Sequence, residues 1–114
     1  MSTYMIVTIK KLKDRASMEQ YWKRVDATFA GTGVKPLSVY MPLTFVEGER
    51  PVDGIVLAEW PDMATATRWY ESEAYKAVRH FRTDATDSEI VFLDSGGSAS
   101  SDDWMPHTRD RVEK

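Results

Sequence analysis

Apolar residues along this chain alternate in some stretches and recur at helical spacing in others, in an order that predicts two β-α-β units. Tyr4 to Leu12 (Tyr-Met-Ile-Val-Thr-Ile-Lys-Lys-Leu) is rich in β-branched and aromatic residues, which predicts a first strand. Met5, Val7 and Ile9 fall on one face, and Tyr4, Ile6 and Thr8 on the other. Both sets are largely apolar, so both faces are expected to be covered. Ser17 then offers an N-cap, and Gln20 three residues later completes a capping-box pattern. Met18, Tyr21, Trp22, Val25 and Phe29 recur at helical spacing, opposite Glu19, Lys23, Arg24 and Asp26. This is an amphipathic first helix, closed by a left-handed cap at Gly31 or Gly33. Its aromatic stripe reads as core packing in preference to a ligand wall.

Val34 to Val46 predicts a second strand, in which Leu37, Val39 and Met41 alternate against Ser38 and Tyr40. Pro36 and Pro42 cannot donate to a ladder, so this strand belongs at an edge or is bulged. Glu47 to Gly54 carries turn residues. Ile55 to Trp60 opens on an unbroken apolar run, as expected of a third strand buried on both faces. Pro61 stops it and Asp62 can cap the next helix. Met63, Ala66, Thr67 and Tyr70 form one face of that helix. Ser72 can cap a fresh piece whose Ala74, Ala77, Val78 and Phe81 continue toward the core. Glu89 to Ser95 predicts the last strand. The order is that of a split βαβ, an α+β, ferredoxin-like domain over residues 1–96. Beyond it, residues 97–114 turn polar and predict a mobile tail. Trp104, Met105 and Pro106 form an isolated apolar spot there, able to dock on this subunit or a partner.

Composition narrows the function classes. A chain of 114 residues makes one domain, small enough for a partner chain to help its stability. The net charge is −3, with basic and acidic residues interleaved, which argues against nucleic-acid binding. There is no cysteine, hence no disulfide, thiolate nucleophile or cysteine metal site, as suits a reducing cytoplasm. Neither a leader peptide nor a membrane-length apolar span is visible, so no membrane partner is expected and the predicted location is cytoplasmic. Four Trp, five Tyr and four Phe are many aromatics for this length and suggest a well-filled core, an aromatic-lined pocket or a large interface.

Several stretches carry a family resemblance. They are the Tyr-containing first strand, Tyr21 and Arg24-Val25, Val46-Glu47-Gly48, and Leu57-Ala58-Glu59-Trp60-Pro61. The most specific is Trp69-Tyr70-Glu71-Ser72-Glu73-Ala74-Tyr75, followed seven residues later by Arg82 and then by Ile90-Val91-Phe92-Leu93. From Tyr4 to Ser95 the chain resembles the domain-of-unknown-function family numbered 1330, in the dimeric α/β-barrel superfamily. The resemblance implies a four-stranded antiparallel sheet with two helices on one face, and two such sheets packed face to face as a homodimeric barrel, with one face of each meeting helices and the other meeting the partner. Where the family often has a Gly-Gly pair in its second strand, this chain has Tyr40-Met41, which would narrow any space above that strand. Relatives in the superfamily include cofactor-free monooxygenases, lactone isomerases, heme-degrading proteins and polyketide cyclases. Their activities transfer only by analogy of fold.

Candidate chemistry gathers on the second half of the second helical region. With Ala74, Ala77, Val78 and Phe81 setting the buried direction, Tyr75 and Arg82 fall roughly 80–100° from it, and Arg79 further out on the same side. These three predict a polar edge on which Arg82 could hold a carboxylate or enolate, because a guanidinium presents a fixed fork of donors. His80 falls about 120° away on the opposite side and reads as a surface histidine. Glu59 in the third strand is the obvious ion-pair partner for Arg82 and a candidate base. Trp69 sits at a helix border as a pocket wall or dimer contact, with Tyr70 turned to the core. Tyr40 is expected to orient a ligand or plug the space. Two distant histidines, no cysteine and no acidic spacing motif give no metal site, and no cofactor is implied. The expectation is a homodimer with an aromatic-lined cleft for a small anionic or aromatic organic molecule. Arg82 and Glu59 would serve any cofactor-independent isomerisation, cyclisation or oxygenation. The alternative is a non-catalytic ligand-binding or structural dimeric module.

Overall fold

A computed structural model describes residues 2–48 and 51–96. The elements are β1 (Thr3–Leu12), α1 (Arg15–Val25), a 3-10 turn (Asp26–Phe29), β2 (Lys35–Val39), β3 (Gly54–Trp60), α2 (Met63–Glu71), α3 (Glu73–Thr83) and β4 (Thr86–Asp94). The four strands form one antiparallel sheet in the order β2-β3-β1-β4. This is the α+β, ferredoxin-like arrangement expected from the pattern. The tail after Gly96, with Trp104, lies outside the described residues. Among the described residues no helix is long and apolar enough to cross a membrane.

Register assigns the faces. Met5 pairs with Ala58 and Phe92, and Val7 with Val56 and Ile90, so these side chains share the helix-covered face. Tyr4 pairs with Glu59 and Leu93, and Ile6 with Leu57 and Val91, on the opposite, open face. Met5, Val7, Ile9, Ala58 and Trp60 are buried, as the alternation predicts. β2 is an edge strand whose register shifts between Pro36 and Ser38, the bulge that a proline in a ladder demands.

Four boundaries and faces differ from expectation, each for a local reason. The N-cap of α1 is Asp14, whose Oδ1 accepts from Ser17 N at 3.2 Å. Ser17 instead sends its hydroxyl to the Phe81 carbonyl at 2.9 Å, clamping α1 to the end of α3. β2 stops at Val39, because Tyr40 takes a left-handed φ of 53°. That is a conformation glycine adopts without strain, at the position where the resemblance leads one to expect glycine. β4 begins at Thr86 rather than Glu89, since its first inward residues, Thr86 and Ser88, are polar and hide the alternation.

The fourth difference concerns the helical faces. In α3 the buried residues are Tyr75, Val78 and Arg82, whereas Ala74 and Ala77 are exposed and Phe81 is half-buried. Small alanines contribute little area, so the large side chains at i, i+3 and i+7 set the orientation. In α2, Ala66 and Trp69 face inward while Tyr70 is half-buried and Thr67 exposed. Trp69 stacks on Phe29 with centroids 5.2 Å apart and lies 5.1 Å from Trp60 and 4.0 Å from Tyr75. This aromatic block fixes α2 and α3 on the sheet.

Candidate functional site

α1 does not close down fully on the sheet. Between it and β1 and β3 lies a cavity of about 970 Å³. Its walls are the inward side chains of the sheet (Val7, Ile9, Val56) and the stripe of α1 and its 3-10 extension (Tyr21, Trp22, Phe29), with Trp69 closing one end. The stripe thus serves as packing and as wall together, where periodicity alone assigns it to packing. Trp69 Nε1 donates to Thr28 Oγ1 at 2.9 Å, which fixes the indole in place.

Behind the wall runs a buried polar string. Tyr21 Oη lies 3.0 Å from Tyr75 Oη. Arg82 Nη2 donates to Tyr75 Oη at 3.4 Å, and Nη1 donates to Ser88 Oγ at 2.6 Å. Thr86 Oγ1 lies 2.8 Å from Ser88 Oγ and donates to the Arg82 carbonyl at 2.7 Å, tying the helix end to the start of β4. The guanidinium sits 5.8 Å from the Tyr21 ring centroid. Arg82 is 4% exposed, yet among the described residues no carboxylate pairs with it and its Nε has no partner. A buried cation without a counter-ion is costly, so this one points to a use for its charge. Burial acts to lower its pKa, but the Tyr75 and Tyr21 hydroxyls outweigh that and hold it above the ordinary value.

The string has a direction. Arginine can only donate, so Tyr75 Oη accepts from it. Either hydroxyl of the Tyr21–Tyr75 pair can be the donor, and when Tyr75 donates, the Tyr21 hydroxyl proton is left for another acceptor. Burial above all pushes the Tyr21 phenol well above its usual range, so it stays neutral and remains a donor. Burial also raises Tyr40, whose hydroxyl accepts from Trp22 Nε1 at 3.2 Å.

Of the residues singled out in the sequence, Arg82, Tyr75, Trp69 and Tyr40 converge on this region. Tyr75 and Arg82 do so from the interior of the fold rather than from a polar edge. Arg79 leaves the group: its guanidinium stacks 5.2 Å from the Tyr70 ring centroid. Glu59 does not meet Arg82. It projects from the open face of β3, paired across the ladder with Lys35 and Tyr4, and lines a separate pocket of about 250 Å³ with Ser2 and Pro61. Residue parity on β3 decides this, since Glu59 is one residue from the inward Ala58 and Trp60. His80 is exposed, as expected. Tyr21, Trp22 and Ser88 had no place among the predicted site residues. The available signal for the first two was that the most polar-tipped aromatics of the stripe are adjacent.

The sequence profile described as Domain of unknown function (DUF1330) matches residues 2–95. The chain belongs to that family. No functionally curated protein matches it. Solved structures share the fold at low identity. A Rhodopseudomonas palustris protein of unknown function, RPA0582, is 16% identical with a TM-score of 0.71, over 85% of this chain and 84% of that one. A dimeric, ferredoxin-like protein of unknown function from Bacteroides fragilis is 14% identical with a TM-score of 0.56, over 82% and 96%. SnoaB, a cofactor-independent oxygenase from Streptomyces nogalater, is 14% identical with a TM-score of 0.52, over 86% and 94%.

Proposed function

We propose that this DUF1330 chain binds a small aromatic or conjugated organic anion in the cavity beneath α1. One observation carries the reading: the buried Arg82, paired with no carboxylate among the described residues, is joined through Tyr75 to Tyr21, a cavity-lining residue. The apolar walls take a flat ring, and Tyr21 gives a hydrogen bond to its oxygen or sulfonate-like group. Arg82 supplies the positive field behind it. The working unit is a homodimer joined through the open sheet face, where Val91 and Leu93 lie exposed beside half-buried Ile6 and Leu57. The ferredoxin-like neighbour from Bacteroides fragilis, described as dimeric, supports that assembly.

A second reading, cofactor-independent catalysis, draws on the same string. Donors preorganised in a water-poor cavity stabilise an enolate or phenolate as well as a bound anion. The likeness to SnoaB lends fold-level support. Against it, the carboxylates on the cavity lining, Asp26 and Asp53, are exposed, and Glu59 faces the other way. Binding is therefore the reading we adopt.

Titration with 1-anilinonaphthalene-8-sulfonate and with uncharged naphthalene tests it. Arg82→Met is expected to weaken the sulfonate by roughly 30- to 100-fold, about 2–3 kcal/mol. Naphthalene affinity should change by less than about threefold, because the walls are intact. Equal sulfonate affinity in both proteins would remove the anion role of Arg82.

A further inference from the structure

The exposed members of the cavity lining fall in two places. Arg15, Lys23 and Asp26 belong to α1 and its end, while Pro36 and Val39 lie on β2 and Tyr40 and Asp53 flank the β2–β3 connection. The mouth therefore opens between α1 and the edge strand β2. One aromatic pair spans it. Trp22 Nε1 donates to Tyr40 Oη at 3.2 Å, and the rings meet edge to face with centroids 5.6 Å apart. The Arg15 guanidinium stands 5.6 Å from the Trp22 ring centroid and steadies that half of the pair.

The other half is held in an unusual way. Tyr40 is the non-glycine residue with positive φ among the described residues, at 53°. A bulky side chain there is strained, and strain of this kind persists where surrounding contacts impose it. Those contacts are Trp22 and Gly54. A Cβ on Gly54 would stand 2.7 Å from Tyr40 Cδ1 and 3.2 Å from Cε1. Gly54 has no positive φ, so glycine is needed here for the close approach of the ring and not for backbone freedom. The slot, the strained backbone and the indole contact all serve to lay one tyrosine ring across the mouth.

We propose that Tyr40 is the gate of this cavity. Docked on Gly54 and Trp22 it closes the gap between α1 and β2, and swung outward it admits a flat aromatic anion. This rests on the ligand reading above. The Trp22 hydrogen bond, the Trp22 ring pair and the packing on Gly54 hold the closed form. Removing one of these contacts shifts the population toward the open form.

Stopped-flow association of 1-anilinonaphthalene-8-sulfonate tests the gate in wild type, Tyr40→Ala, Tyr40→Phe and Gly54→Ala. Tyr40→Ala is expected to raise the association rate on the order of tenfold, the factor a lost latch contact supplies. Gly54→Ala should raise it similarly by expelling the ring, and Tyr40→Phe should fall between because it keeps the ring and loses the hydrogen bond. Far-UV circular dichroism shows whether Gly54→Ala folds; Tyr40→Ala carries the test if it does not. Sulfonate binding that weakens in Arg82→Met, with Tyr40→Ala and Gly54→Ala rates within twofold of wild type, overturns the gate and leaves the ligand reading standing. Sulfonate binding indifferent to Arg82→Met overturns the ligand reading, and the gate falls with it.

Discussion

On one face of the sheet Met5, Val7 and Ile9 are sealed, while on the other Val91 and Leu93 are 46% and 52% exposed. Both faces follow the same alternation of apolar side chains. The first is covered by helices of its own chain, and imperfectly, because α1 stands off far enough to leave a cavity. It also contains Arg82, a buried charge that no carboxylate among the described residues pairs with. Among the described residues the second has no cover from its own chain, and it carries Glu59 and Glu89 beside Lys35 and Lys10 at its margins. An apolar face thus announces that something covers it. The pairing state of the two faces' charges also differs, which under the proposed reading suits the first to receive an anion and the second to meet a partner surface.

The sharpest way to break the contrast is to remove the anchor of the helix face. Trp60 is fully buried among Phe29, Trp69 and Phe92, with centroids 6.1, 5.1 and 6.5 Å away. Trp60→Ala should destabilise by about 3–5 kcal/mol, read as a fall in the urea midpoint. A loss below 1 kcal/mol would mean the aromatic block is not what holds α2 on the sheet. The open face should respond differently. Leu93→Lys is expected to leave the fold intact and weaken self-association by about 2–3 kcal/mol, since an isologous interface counts each substitution twice. Light scattering across a dilution series reads this; an unchanged dimer would place the partner surface elsewhere, and a wild-type monomer would remove the homodimer.

Much of this contrast was legible in the residues. Strand alternation in Tyr4 to Leu12, the prolines at 36 and 42 and the Ser72 break between helices gave the sheet, its edge and the split α2–α3 region. The helical wheel failed where it weighed four small or aromatic residues equally. Ala74 and Ala77 pulled the inferred core direction away from Tyr75 and Arg82, whose greater area decides how α3 lies. Glu59 was lost to parity, because one residue along a strand reverses the face and nothing local marks which carboxylate faces inward. The polar inner residues Thr86 and Ser88 concealed the start of β4, and they are polar because they serve Arg82. Tyr21 could not be told from core by spacing, since a wall and a core present the same stripe.

The position of α1 decides whether the helix face keeps its cavity, and three polar contacts hold it there. Tyr21 meets Tyr75 beneath the helix, Trp22 meets Tyr40 at the mouth, and Ser17 reaches the Phe81 carbonyl at its N-terminal turn. The last of these touches neither the string nor the gate. The Asp14 cap would remain, so Ser17→Ala tests the clamp apart from helix formation. Its expected effect is the smallest here, about 1 kcal/mol of stability. Hydrogen exchange should locate that loss in the first turn of α1 and the last turn of α3, with the sheet unaffected. Sulfonate affinity should stay within about twofold, because the groups that face the ligand are unmoved. A larger loss of affinity would mean that the helix is poised by this one hydroxyl and that the cavity exists only while the clamp holds.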